Sequence, residues 1–167
     1  LAMYKRIIIG ALLMFSVSSM MAQNADELVW YDGKNAVTYN VLTDVAPVVK
    51  VALDMFSDDM SAVTGRKAVH TNNAVLMIVE LDKASEKLRK KLARKNVPVD
   101  EVMSSYDGFN ISVYDGNVFI VGKNGRGTAY GILEMSRMAG VSPWIWWGDV
   151  VPEKKSCLTI NRNTSVT

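Results

Sequence analysis

Hydrophobic and polar positions fall into separate blocks along this chain, and each block predicts an element. Residues 27–31 (ELVWY) and 36–42 (AVTYNVL) are β-type runs divided by Asp32, Gly33, Lys34 and Asn35, a turn-forming cluster. Thr43 and Asp44 are candidate helix caps, and Pro47 suits a first helical turn. From there Val48, Val51, Ala52, Met55, Phe56, Met60 and Val63 recur at three and four, one apolar face of a helix that Gly65 ends. Residues 75–81 (VLMIVEL) are apolar on both faces, as a central strand requires.

Residues 83–95 (KASEKLRKKLARK) predict a second helix, with Leu81, Ala84, Leu88 and Leu92 as a narrow apolar stripe. Residues 109–114 (FNISVY) alternate strictly, with Phe109, Ile111 and Val113 on one face. Asp115 and Gly116 then form a strong hairpin signal, and residues 117–122 (NVFIVG) return as the partner. Residues 125–139 read as a glycine-rich entry into a third helix, whose stripe continues through Ile132, Met135, Met138 and Ala139 to a stop at Gly140. The order β-β-α-β-α-β-β-α plus a short closing strand predicts an α/β two-layer sandwich, a mixed β-sheet with helices packed on it.

Composition changes this picture at the N-terminus. Lys5 and Arg6 precede nine apolar residues at 7–15 (IIIGALLMF), and small and polar residues follow as far as Ala22. That order is a secretory signal peptide over residues 1–22, cut between Ala22 and Gln23. The apolar run is too short for a membrane anchor, which needs about 20 residues. The expected mature domain is 23–167, in the periplasm or outside the cell. Loss of Lys5 and Arg6 leaves 17 basic against 17 acidic residues, so no net field draws the chain to nucleic acid or to an anionic membrane. The basic residues at 83–95 read as a solvated helix face.

Cys157 and His70 each stand alone in the sequence. Counting therefore excludes an intrachain disulfide and a structural zinc site, and it disfavours Cys–His and Ser–His–Asp relays. With Leu158 and Ile160 as neighbours, Cys157 is expected to be a buried, inert thiol. The loop after the second hairpin strand resembles a phosphate cradle, but Gly125, Gly127 and Gly131 give G-x-G-x-x-x-G, one residue longer than the dinucleotide pattern. No Gly-Lys-Ser/Thr closes a Walker loop. Gly127 and Gly131, four apart, instead share one helix face and admit a close backbone neighbour. No cofactor and no metal are expected.

The chain has four tryptophans, and Trp144, Trp146 and Trp147 fall within residues 140–152 (GVSPWIWWGDVVP). Taken with Arg126, Gly127, Thr128, Tyr130 and Gly131 upstream, this stretch resembles a signature of family 115 glycoside hydrolases. Those are α-glucuronidases that remove glucuronic acid side chains from xylan. The resemblance covers about 121–152; it departs at Asn124 and Gly125 before Arg126, and at an extra Val151 before Pro152. It implies an N-terminal accessory α/β domain that precedes a (β/α)8 catalytic barrel. Such a barrel takes ~250 residues, and only 15 residues follow Pro152, so the barrel is expected to be absent from this chain. No residue matches the family's catalytic carboxylates, and Asp58, Asp59 and Glu134 read as helix-surface charges.

Pro143 biases Ser142 toward extended geometry, and in an extended segment Trp146 and Trp147 point oppositely. Three roles compete for the indoles: packing on the barrel, a sugar-stacking wall at its mouth, or filling the domain's own core. The binding or interface residues read from the sequence are Arg126, Trp144, Trp146, Trp147 and Asp149. The expected partners are the barrel of the same parent protein and a xylan-type polysaccharide. The rival function is a free-standing carbohydrate-binding module that uses exposed tryptophans.

Overall fold

The structure is a computed structural model that describes residues 25–144, 148 and 150–167. The expected signal segment lies outside the described residues. The elements are β1 (Glu27–Tyr31), β2 (Thr38–Val41), α1 (Pro47–Thr64), β3 (Val69–His70), β4 (Leu76–Glu80), a 3-10 turn (Leu81–Lys83), α2 (Glu86–Ala93) and α3 (Val99–Ser104). They continue as β5 (Phe109–Tyr114), β6 (Asn117–Gly122), α4 (Gly125–Met138), β7 (Leu158–Asn161) and β8 (Ser165–Val166). Six strands form one mixed sheet in the order β3-β2-β4-β6-β5-β8. The first four run parallel, and β5 and β8 are antiparallel to their neighbours.

The principal layers are this sheet and the pair α1 and α4, the two-layer α/β sandwich expected. Leu76, Ile78, Ile111, Val118 and Ile120 of the sheet are buried in one cluster with Phe56, Met60 and Val63 of α1 and Ile132 and Met135 of α4. On the reverse face α2 and α3 place Leu92, Val99 and Val102 over Val79, Phe119 and Val121. That cover is centred on β4 and β6. The Asp115-Gly116 turn forms as read, with positive φ at both residues (48° and 77°), which matches the twist of a two-residue hairpin.

Several expectations change. The runs before and after the 32–35 turn do not pair with each other. The Asp32 carboxylate accepts the Lys34 and Asn35 N–H groups and redirects the chain. β2 then feeds α1 and enters the parallel ladder, while β1 pairs antiparallel with the distant β7 in a separate two-stranded sheet. The buried arc of α1 is Val49, Ala52, Leu53, Phe56, Met60 and Val63. Val48 and Val51 are exposed, because the buried phase is set by the packed middle of the helix. Ala46, not Thr43 or Asp44, is the α1 N-cap; the Thr43 hydroxyl instead accepts the Glu80 N–H at 3.1 Å. Ser85 caps α2 by accepting the Leu88 N–H at 3.2 Å, so that helix starts later than the periodicity predicts. The six residues of α3 have no counterpart among the elements predicted from the sequence.

Cys157 is exposed, not buried. Leu158 and Ile160 are buried, and alternation in β7 sends the position before Leu158 outward. Among the described residues, no helix is long and apolar enough to cross a membrane.

Candidate functional site

The entry to α4 is built on close backbone contact. At Gly122 an added Cβ would overlap the Thr128 backbone, and at Gly127 it would overlap the carbonyl oxygens of Gly108 and Asp107. At Gly131 it would press on Ile120 Cγ2 at 2.9 Å. Glycine is therefore required where α4 lies against β5 and β6, which is the close approach read from the sequence. The N-cap is Asn124, whose Oδ1 accepts the Gly127 N–H at 2.9 Å. Its Nδ2 donates to Asp107 Oδ1 at 3.0 Å and to the Tyr106 carbonyl at 3.2 Å. The Gly127 donor and the space beside Gly122 and Gly127 are thus taken by the protein itself.

Arg126 projects from the first turn of α4. Its Nη2 lies 3.3 Å from Asp107 Oδ2 and donates to the Tyr130 hydroxyl at 3.2 Å. The guanidinium is mostly exposed while Asp107 is largely covered. Sequence reasoning missed Asp107 as the partner, since the pair spans the α3–β5 loop and α4. The periodicity signal is silent on such a contact.

The tryptophan segment leaves the far end of α4. Gly140 takes positive φ (96°), and the Val141 N–H donates back to the Ser136 carbonyl at 3.0 Å, a closure of helix-end type. Ser142 Oγ accepts the Trp144 N–H at 3.2 Å. Trp144 is 68 % exposed, so this indole fills no core here. The Gly148 N–H donates to the Trp144 carbonyl at 2.8 Å. Trp146, Trp147 and Asp149 lie outside the described residues. Beyond them Val150 and Val151 are exposed, and the chain is tied back to α1 by Lys155 N–H donating to the Val63 carbonyl at 2.9 Å. Arg126 and Trp144 thus stand at opposite ends of α4, and the structure does not bring them together.

A groove of about 230 Å³ borders the segment, with Met55 and Asp59 of α1 on one side and Ser136, Arg137 and Pro143 on the other. Asp58 pairs with Lys67 at 2.8 Å, and Glu134 pairs with Arg137 at 2.6 Å. Asp58 is the surface charge expected, whereas the Glu134 side chain is largely covered. Asp59 is half-buried. Burial raises its pKa above the ordinary aspartate value, the Ser136 hydroxyl opposes the rise, and Asp58 adds to it. The Ser136 hydroxyl faces this carboxylate without closing a hydrogen bond of normal geometry.

An acid with a higher pKa in the folded state holds its proton more tightly there. Its contribution to stability is therefore fullest at low pH and is lost as pH rises through the window between the ordinary and the raised value. Asp59→Asn is expected to raise the urea midpoint at neutral pH and to leave it unchanged near about pH 3, where both states are protonated. An equal shift at the two pH values would show that the groove does not strain this carboxylate.

No protein-family model matches the chain, and no curated protein matches it. Among solved structures it is similar to BtGH115A, described as a novel family GH115 4-O-methyl-α-glucuronidase with specificity for decorated arabinogalactans. The TM-score is 0.67 and the identity 29 %, over 78 % of this chain and 17 % of that one. The described fold is similar to a domain of that family 115 enzyme. This domain corresponds to a small part of the solved enzyme's length, and a larger parent protein with further domains is consistent with that share. Its mixed sheet under α1 and α4 is the framework from which both Arg126 and the tryptophan segment project.

Proposed function

We propose that this chain is the N-terminal accessory domain of an exported glycoside hydrolase that releases glucuronic acid side chains from a polysaccharide such as xylan. Residues 1–22 direct export, and residues 23–167 form the domain. Catalysis belongs to a (β/α)8 barrel outside these 167 residues. The domain docks on that barrel through the tryptophan segment and shapes its cleft. The observation that carries this reading is the match to a 4-O-methyl-α-glucuronidase over most of this chain and little of the other. The exposed Trp144 at the end of α4 supports it, since a large bare indole suits an interface. The solved relative acts on decorated arabinogalactans, so the uronic acid decoration is the firmer part of the substrate and the xylan backbone the part to be tested first.

The chain alone is expected to release no glucuronic acid from glucuronoxylan above a blank; turnover at a normal hydrolase rate would place catalysis in this domain and overturn the proposal. Titration with glucuronoxylan fragments, followed by tryptophan fluorescence, tests the rival role. Saturable quenching that Trp146→Ala abolishes would establish a free-standing carbohydrate-binding module, whereas no response fits a domain that awaits its barrel. Trp144, Val150 and Val151 leave apolar surface bare, so the isolated chain should also self-associate as concentration rises. Size-exclusion chromatography that gives one monomer volume over a hundredfold range, roughly 1–100 μM, would refute the interface assignment.

A further inference from the structure

The reverse face of the sheet carries a cleft that the reading above does not use. α2 and α3 are centred over β4 and β6, and toward β2 an opening of about 240 Å³ remains, lined by Asn40, Asn72, Asn117, Lys91 and Lys95. Its floor includes Met77 of β4 and Phe119 of β6. That volume lies below the roughly 300–1,000 Å³ of sites for drug-sized ligands, so it suits one ring rather than a chain.

The lining chemistry is selective. Both charged residues around the cleft are lysines, and among the described residues neither has a carboxylate partner. Lys95 is nonetheless held in place, its Nζ 4.4 Å from the Tyr114 ring centroid and 5.6 Å from that of Phe119. Two amides are oriented by the backbone. Asn40 Nδ2 donates to the Asn72 carbonyl at 3.3 Å, and Asn117 Nδ2 donates to the Ala74 carbonyl at 3.0 Å. Each therefore keeps its Oδ1 as an acceptor. Fixed amide acceptors suit hydroxyl groups, the Met77 and Phe119 floor suits the C–H face of a pyranose, and two unpaired ammonium groups favour an anion.

We propose that this cleft binds a single pyranose ring bearing an anionic group, a carboxylate or a phosphate. Lys91 and Lys95 meet the anion, and the Asn40 and Asn117 amides meet ring hydroxyls. The cleft lies on the opposite side of the sheet from α1 and α4, so this assignment stands or falls independently of the docking role of Trp144.

The test is two-dimensional NMR of the ¹⁵N-labelled full chain, titrated separately with glucuronate, glucose 6-phosphate, glucose, acetate and inorganic phosphate. At least one anionic sugar is expected to shift the Asn40 and Asn117 side-chain amides saturably, with a Kd on the order of 1–10 mM. Whichever of the two binds more tightly identifies the anion. Glucose should bind about tenfold more weakly, and Lys91→Gln and Lys95→Gln should each weaken the anionic sugar about fivefold. Lys91 is exposed, so its replacement keeps the test valid if loss of Lys95 perturbs the fold. No shift at about 50 mM, equal binding of glucose, equal binding of acetate or phosphate, or shifts confined to the tryptophan segment would each overturn the proposal.

Discussion

Gly122→Val leaves little folded protein, and Gly127→Val does nearly the same. A Cβ at residue 122 enters the Thr128 backbone, and one at residue 127 enters the Asp107 and Gly108 carbonyls. Backbone cannot rotate aside as a side-chain tip can. Relief requires α4 to lift from β5 and β6, which would uncover Ile120, Ile132 and Met135, all essentially buried. The expected cost is about 3 kcal/mol or more for either variant, at the upper end of overpacking effects. Gly65 is the control. Unlike Gly122 and Gly127 it has positive φ (83°), but nothing lies within 4 Å of an added Cβ, so Gly65→Ala should cost about 1 kcal/mol from the left-handed conformation alone. Urea unfolding distinguishes the two cases. Were Gly122→Val and Gly65→Ala to have similar midpoints, the close seat of α4 on the sheet would be wrong, and with it the placement of Arg126.

The same helix shows what sequence pattern reveals and where it stops. Gly127 and Gly131 announce a close approach because only glycine tolerates one, and Asp115-Gly116 announces a hairpin because its turn needs two positive φ angles. Such local rules are written in single residues. The choice of partner strand is different. Nothing in residues 27–42 says that β1 will cross to β7 while β2 joins β3 and β4; that is decided by which apolar face each segment can bury after the helices have packed. Val48 and Val51 were misplaced for a related reason. A repeat at three and four fits two neighbouring phases of a helix, and only the surface beneath α1 selects one. Cys157 follows suit, since its direction depends on the register of β7. In the candidate site, Arg126 was legible as a polar residue in a motif, but Asp107 and the half-buried Asp59 meet their neighbours across separate elements, which no spacing rule encodes. Of the interface residues read from the motif, Trp144 is placed on the surface by the structure, while the others in that segment lie outside the described residues.

Glu80→Ala is expected to cost about 2–4 kcal/mol, more than any cap read from the sequence. The reading of residues 75–81 as apolar on both faces gives Glu80 no role, yet it is only 2 % exposed. It stands at the C-terminal end of β4, beside the point where β2 leads to α1 on one face of the sheet and β4 leads to α2 on the other. One carboxylate oxygen accepts the Ala46 N–H at 2.8 Å, and the Glu80 N–H donates to Thr43 Oγ1 at 3.1 Å. The same oxygen lies 3.8 Å from where a Cβ on Gly125 would stand, so the side chain joins the starts of α1 and α4 to the central strand. Truncation leaves the Ala46 donor without its acceptor and opens a void where three elements meet; both effects destabilise. Glu80→Gln keeps an acceptor and the volume and should cost only about 1 kcal/mol. Asp44→Ala removes one of the two candidate caps read from the sequence, which the fold does not use, and should be near neutral. If urea midpoints fall equally for Glu80→Ala and Asp44→Ala at an unchanged m-value, Glu80 is no joint, and the two helices that carry the site are held by apolar packing alone.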